Sequence, residues 1–290
     1  MANAYNVHAG YRGIMDFPSG GQSNYVRFTD CSIAAKQDVN IPDLVMGHWD
    51  KDSYNYQKVE VNGSMSGPID ENFGSVLWQY AAPRSGCGLL TAANPHLYYY
   101  CDETGRDVAF NGLIVNSLTV SCAAGDVAQF SAEFIGKTAG AYTTNSAPIF
   151  SNTAKLITWD KLSVSITATT DAVPQTPTVI AYQNFSVTIA NNAEPVYAIL
   201  SSGSSNLFPY EVIPGIRTIT GSITGFDIDA AFSGFNKWDD YATTGAGTLT
   251  FTLGSLSVPI KARFHRINPT LGVGPVTSTI AFSGVGAQSF

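Results

Sequence analysis

A chain of 290 residues with 13% Asp, Glu, Lys and Arg and 44% hydrophobic residues is long enough for one large or two ordinary domains. Globular proteins carry about 25% charged residues, so much of the polar surface must come from Ser, Thr, Asn and Gly. Such a surface is poorly protected against association, which suggests that other protein chains cover part of it. The balance of 15 basic against 22 acidic residues, a net charge of −7, opposes direct binding to a phosphate backbone.

In chain order, residues 2–21 are Gly-rich and weakly patterned and read as an arm that orders on a neighbour. They lack a basic n-region and an apolar h-region, and no long apolar run follows anywhere, so neither a secretory signal nor a membrane span is expected. Period-2 alternation predicts strands over 26–34 and 57–65. Residues 70–81 start on an acid and space Phe73, Val76, Leu77 and Tyr80 by three and four, which predicts an amphipathic helix. An insert over 83–111 carries Tyr98, Tyr99 and Tyr100. Strands over 117–121 and 129–135 flank a turn at Ala124, Gly125 and Asp126. A Gly, Ala, Thr, Asn, Ser and Pro stretch over 138–155 suits a linker. Beyond it, strands are expected over 162–166, 185–189, 217–223, 248–253 and 258–264, with a hairpin turn at Gly254, a short helix over 230–241 and a second weakly patterned arm over 272–290.

Four landmarks recur in the same order. CSIAA at 31–35, followed by Pro42, is matched by FSVTI at 185–189, followed by Pro195. VNGSMSG at 61–67 is matched by ITGSITG at 219–225, each with an acid soon after, Asp70 or Asp227. Helix candidates follow both. Ser117-Leu-Thr-Val, a Gly-centred turn and a strand ending at Phe134 answer to Thr248-Leu-Thr-Phe, a Gly-centred turn and a strand ending at Phe264. Read as a duplication, these divide the chain into 1–145 and 146–290, with chance echoes in a Gly, Ser and Thr-rich β protein as the competing explanation.

Catalytic patterns are missing. His8, His48, His96 and His265 lack metal-ligand spacing, and Cys31, Cys87, Cys101 and Cys122 form no C-x-x-C pair and read as free thiols. Gly63-Ser64 and Gly221-Ser222 lie in strand context, unlike a nucleophile elbow. The carboxylate pairs, such as Asp50 with Asp52 and Asp239 with Asp240, read as solvated turn or helix-start residues more readily than as a glycosidase dyad. Trp49, Trp78, Trp159 and Trp238 read as core or intersubunit packing before a sugar platform. No catalytic residue, metal or cofactor is expected, and the protein is not read as an enzyme.

Four phrases resemble the tail tube proteins of tailed bacteriophages: VEVNGSMSGPIDENFGSVLWQYAA, NSLTVSCAAGDVAQFSAEFIGK, FSVTIANNAEPVYAI and IPGIRTITGSITGFDID. They include a Gly-Asp-Val turn leading to an alternating strand closed by Gly136-Lys137, and a strand followed by Asn192-x-x-Pro195-x-Tyr197. The resemblance implies a mainly β chain of two tail-tube-like β-sandwich or half-barrel domains, each with a flanking short helix. It implies a virion structural protein made in the host cytoplasm. Inner-sheet strands of neighbouring subunits would join around a lumen, in rings stacked into the tube through which the genome is ejected. Two such domains per chain imply a homotrimeric ring with pseudo-sixfold symmetry, a single-copy reading a hexamer. A tape-measure protein and other tail proteins are the implied partners, with DNA passing unbound through a lumen lined by carboxylates and hydroxyls.

On that resemblance, residues 57–67 and 217–225 are the expected inner-sheet strands, with Gly63, Gly67, Gly221 and Gly225 allowing close backbone approach or a bend. Residues 45–58 and 201–213, carrying His48, Trp49, Tyr54, Tyr56, Phe208 and Tyr210, are the expected ring-stacking loops. The alternatives are a baseplate hub or tail-terminator protein of the same fold, and a carbohydrate-binding β-sandwich.

Overall fold

The computed structural model describes residues 13–16, 25–40, 55–73, 77–82, 96–100, 105–140, 143–145, 155–170, 173–174, 178–179, 182–199, 207–226, 246–265, 268–270 and 277–284. The expected helix over 230–241 lies outside them. Ten of the longer strands, most of them alternating apolar and polar residues, belong to one antiparallel sheet. They are β1 (Ala34–Asn40), β2 (Asn55–Pro68), β3 (Ile114–Ala123), β4 (Gln129–Gly136), β5 (Leu162–Thr170), β6 (Tyr182–Ala190), β7 (Thr218–Phe226), β8 (Ala246–Leu253), β9 (Leu256–Phe264) and β10 (Thr277–Gly284).

Their spatial order is β1-β2-β4-β3-β6-β7-β10-β9-β8-β5, with the short segments Asp30–Cys31, Val173–Pro174, Thr178–Val179 and Asn268–Thr270 paired onto it. The two halves therefore meet edge to edge, where β3 and β6 pair over Ser117↔Ala190 to Ala123↔Asn184. One face of the sheet is apolar. Met65, Leu118, Phe134, Ile189, Phe251 and Phe282 on it belong to a single buried cluster drawn from both halves. The sheet is rolled around that face: β6 and β8 stand four strand positions apart, about 19 Å at the usual spacing, yet the Phe185 and Phe251 rings lie 5.1 Å apart.

A second sheet is built entirely from strands of the first half. Its order is Thr138–Ala139, Gly105–Asn111, His96–Tyr100, Gly13–Asp16 and Tyr25–Arg27, with Thr143–Asn145 also on Gly105–Asn111. The insert over 83–111 and part of the expected linker thus supply strands, because Val108 and Phe110 offer apolar surface that joins the common core.

The same register recurs in both halves. Asp30↔Ser66, Cys31↔Met65, Ala34↔Asn62 and Lys36↔Glu60 are matched by Asn184↔Thr224, Phe185↔Ile223, Thr188↔Thr220 and Ala190↔Thr218. Leu118↔Ala132 is likewise matched by Leu249↔Ile260. By this register Phe134 answers to Ala262 and not to Phe264, since the β3–β4 turn is longer than the β8–β9 turn.

Three expectations are corrected. Residues 272–290 are not simply an arm: β10 enters the middle of the sheet, between β7 and β9, burying Ile280 and Phe282. Residues 26–34 do not make one strand, because the chain leaves the ladder between Tyr25–Arg27, Asp30–Cys31 and β1. The helix expected over 70–81 starts later: residues 70–72 are not helical, Phe73 and residues 77–81 are, with a π-helical turn at Leu77 and Trp78, and residues 74–76 lie outside the described residues. Asp70 bridges to Leu156, and its carboxylate accepts from the Asn72 amide at 3.0 Å, while Phe73, Leu77 and Tyr80 are buried as the spacing predicts.

Candidate assembly surface

The face opposite the core is polar, and its charge is unevenly spread. β3, β5, β6, β7, β8 and β10 contain no Asp, Glu, Lys or Arg. Four of these strands, β3-β6-β7-β10, are consecutive and form an arc across the junction of the halves. Alternation puts Ser117, Thr119 and Ser121, then Ser186 and Thr188, then Thr220, Ser222 and Thr224, then Thr279 and Ser283, on its outer face. Hydroxyls pair across strands at 2.8 Å between Thr119 and Thr188 and between Thr224 and Thr279. Charges of both signs appear on neighbouring strands, as Glu133 on β4 and Lys261 and Arg263 on β9. Other exposed carboxylates gather at the strand ends, with Glu71, Asp126 and Asp160 at one end and Glu194 and Glu211 at the other.

Glycines sit where strands cross closely. A Cβ on Gly63, whose φ is +153°, would lie 2.5 Å from Ile33 Cα and 2.6 Å from the Ser32 carbonyl oxygen. A Cβ on Gly221 would lie 2.5 Å from the Ser186 carbonyl oxygen and 2.3 Å from Phe282 Cζ. Ser32 and Ser186 occupy corresponding register positions, so the same contact is built twice. Gly67 approaches Phe28 Cα, at 2.8 Å from a Cβ, and Gly225 is buried opposite Tyr182.

The strand ends form two rims. At the hairpin rim, residues 191–217 connect β6 to β7 through the paired segments Glu194–Val196 and Glu211–Ile213. Val212 and Ala193 pack on Ile114 and Ile135. Buried Asn191 fastens the connection: its side-chain amide donates to the Ala81 carbonyl at 3.0 Å and the Val115 carbonyl at 2.8 Å. Its backbone carbonyl accepts from the Gly215 amide at 2.9 Å. Asn192, with φ +48°, donates from its side chain to the Ile216 carbonyl at 2.6 Å. Nothing in the strand pattern singles out Asn191; only the Asn-x-x-Pro-x-Tyr resemblance points to its neighbourhood. Tyr197, the last residue of that motif, donates to the Val59 carbonyl at 3.1 Å.

Of the residues expected to stack rings, Tyr210 is exposed, with Lys137 Nζ 5.6 Å from its ring centroid. Phe208 is half-buried against the main core. Tyr56 lies within β2, opposite Val39, so the strand begins inside the stretch read as irregular. His48, Trp49 and Tyr54 lie outside the described residues.

At the opposite, turn rim, residues 155–161 are stitched to both halves. The Ile157 amide donates to the Ile69 carbonyl at 2.8 Å, the Trp159 amide to the Asp126 carbonyl at 3.0 Å, and the Gly254 amide to the Lys161 carbonyl at 3.2 Å. A cavity of about 270 Å3 opens there, lined by Asp70, Glu71, Phe73, Ile157, Leu253, Ser255 and Leu256. Burial, with Asp126 adding to it, raises the Cys122 thiol above its ordinary pKa, and burial with Cys122 nearby pushes Tyr182 up to about 12. Burial also raises Cys31, against an opposing backbone hydrogen bond at Ile33. These groups hold their protons at neutral pH and act by packing and hydrogen bonding. Among the described residues no group of three or more His, Cys, Asp or Glu could hold a metal ion.

No curated protein matches the chain. A family model described as phage tail tube protein matches residues 42–284, most of the sequence and every one of β2 to β10. The chain therefore belongs to the phage tail tube protein family, whose members are structural components of the virion.

Proposed function

We propose that the chain polymerises into stacked homotrimeric rings that form the phage tail tube, the conduit for genome ejection, with two tube-like halves per chain giving pseudo-sixfold symmetry. One observation carries the reading. The two halves repeat the same strand register and already join edge to edge at β3–β6; neighbouring copies would join edge to edge as well, there through β1 and β5, since β5 covers the edge of β8. Unpaired strand edges invite aggregation unless a partner completes them. Among the described residues the outer side of β1 has no neighbour, and that of β5 has only two short segments. The next copy in a ring would cover both.

The reading places the β3-β6-β7-β10 arc on the lumen. Its wall holds DNA off with hydroxyl-bound water instead of carboxylates, which stand at the rims. Cryo-EM of the assembled full chain tests the symmetry: stacked rings of three copies are expected. Single rings or caps would favour a hub or terminator, and a monomer at high concentration would end the tube reading.

The wall is tested separately by Thr220→Cys. In assembled tubes a small maleimide should react at that thiol, while a maleimide on a long polyethylene glycol chain should react at least tenfold more slowly than with unassembled protein. The unsubstituted chain, with its four native cysteines, measures the background. Equal reaction with the large reagent would put this face outside the tube.

A further inference from the structure

Six large apolar residues are exposed among the described residues, and five of them, Val196, Ile199, Tyr210, Ile213 and Ile216, lie in one connection at the hairpin rim. Ile199 is 99% and Ile216 86% exposed. Such a cluster is unusual on a chain that stays alone in water. Ile216 is also held in place. Asn192 adopts a positive φ to bond its carbonyl, and a Cβ on the preceding Gly215 would meet the Asn192 carbonyl oxygen at 2.4 Å. The sixth residue, Trp159, stands at the turn rim, which also holds the cavity lined by Phe73, Ile157, Leu253 and Leu256. Asp70, Glu71 and Ser255 complete the lining of this cavity, whose volume is about 270 Å3.

Two different apolar patches at opposite strand ends are what a head-to-tail contact requires, and such contacts generate open stacks. We infer that Ile199 and Ile216 of one copy seat against Trp159 and the Phe73–Leu256 cavity of the copy stacked on it. The inference rests on the tube reading and names the surfaces by which rings stack. Glu194 and Glu211 flank the aliphatic residues, and Lys155 and Lys161 stand near the cavity. Because Glu71 already lies 4.0 Å from Lys161, specificity comes mainly from the apolar fit.

The test uses the full chain, with ring size read by analytical ultracentrifugation and tube length by electron microscopy. Ile199→Asp with Ile216→Asp should leave rings intact and raise the concentration needed for tubes at least tenfold. Trp159→Glu should do the same from the other rim. Ile199→Ser with Ile216→Ser, which adds no charge, should act in the same direction. Mixed in equal amounts, the two rim variants should give paired rings and nothing longer, since each retains one intact rim. Tubes that elongate normally from the isoleucine variants, or a mixture that stays as single rings, would overturn the inference and leave the tube reading standing. A native chain that forms neither rings nor tubes would remove the tube reading itself and the inference with it.

Discussion

Asn191→Asp should cost the folded chain about 4 kcal/mol at neutral pH and lower its melting temperature by about 10 °C. Both hydrogens of the Asn191 side-chain amide are used, one on Ala81 and one on Val115. A carboxylate there would face two carbonyl oxygens at hydrogen-bonding distance with nothing to donate. The pH dependence follows. A buried Asp repelled by carbonyls has its folded pKa raised above the unfolded one. The loss is therefore largest above the folded pKa and shrinks as pH falls towards the unfolded value, where the protonated acid can restore one bond. Thermal unfolding of variant and native chain across pH 5 to 8 checks this. A variant as stable as the native chain at pH 8 would mean that water replaces the missing donors. Asn191→Leu should cost about 2–4 kcal/mol, because it strands two buried carbonyls without adding a charge, and its loss should not vary with pH.

Gly63→Ala should remove about 3 kcal/mol. The added Cβ meets backbone atoms of Ser32 and Ile33 at 2.5–2.6 Å, and backbone cannot rotate aside as a flexible side chain can. The φ of +153° adds strain for any residue with a Cβ. Gly125 is the internal control. It also has a positive φ, +93°, but a Cβ there would meet nothing within 4 Å, so Gly125→Ala should cost about 1 kcal/mol. Urea midpoints at unchanged m-value separate the two. Equal effects would show that only the backbone conformation matters, and that the crossing at Ile33 gives way. Because residues 30–36 lie along the outer side of β2, the Gly63 variant should also assemble poorly even where it remains folded.

Strand existence was legible because one face is buried throughout. β3, β4 and β6 alternate so regularly that the exposed positions are mostly Ser, Thr, Gln and Asn, and a one-residue slip would bury them. The duplicated glycines were legible as well, and their recurrence reflects two equivalent crossings. Pairing was not. β10 has only Ile280 and Phe282 as large apolar residues between glycine-containing stretches, so nothing local marks it as central; its place depends on a gap left between β7 and β9. The helix within 70–81 was legible from Phe73, Leu77 and Tyr80, which share a buried face; its start was not, because Asp70 is taken up in a bridge to Leu156. Asn191 looked like an ordinary turn residue after β6, since the carbonyls it serves are 76 and 110 residues away in sequence. The exposed isoleucines could not be recognised from pattern, because alternation does not reveal which side of a short hairpin faces water.

The position of β10 has a consequence for how the chain is made. Residues 277–284 leave the ribosome after both strands they separate, so β7 and β9 spend part of synthesis without the neighbour that fills the space between them. Vectorial folding can complete β2, β4 and β3 as they emerge, but it must leave the later sheet ajar until this segment arrives. A nascent chain thus lacks the finished wall that polymerisation would extend, and on the proposed tube reading growth of the polymer would wait for translation to pass Gly284.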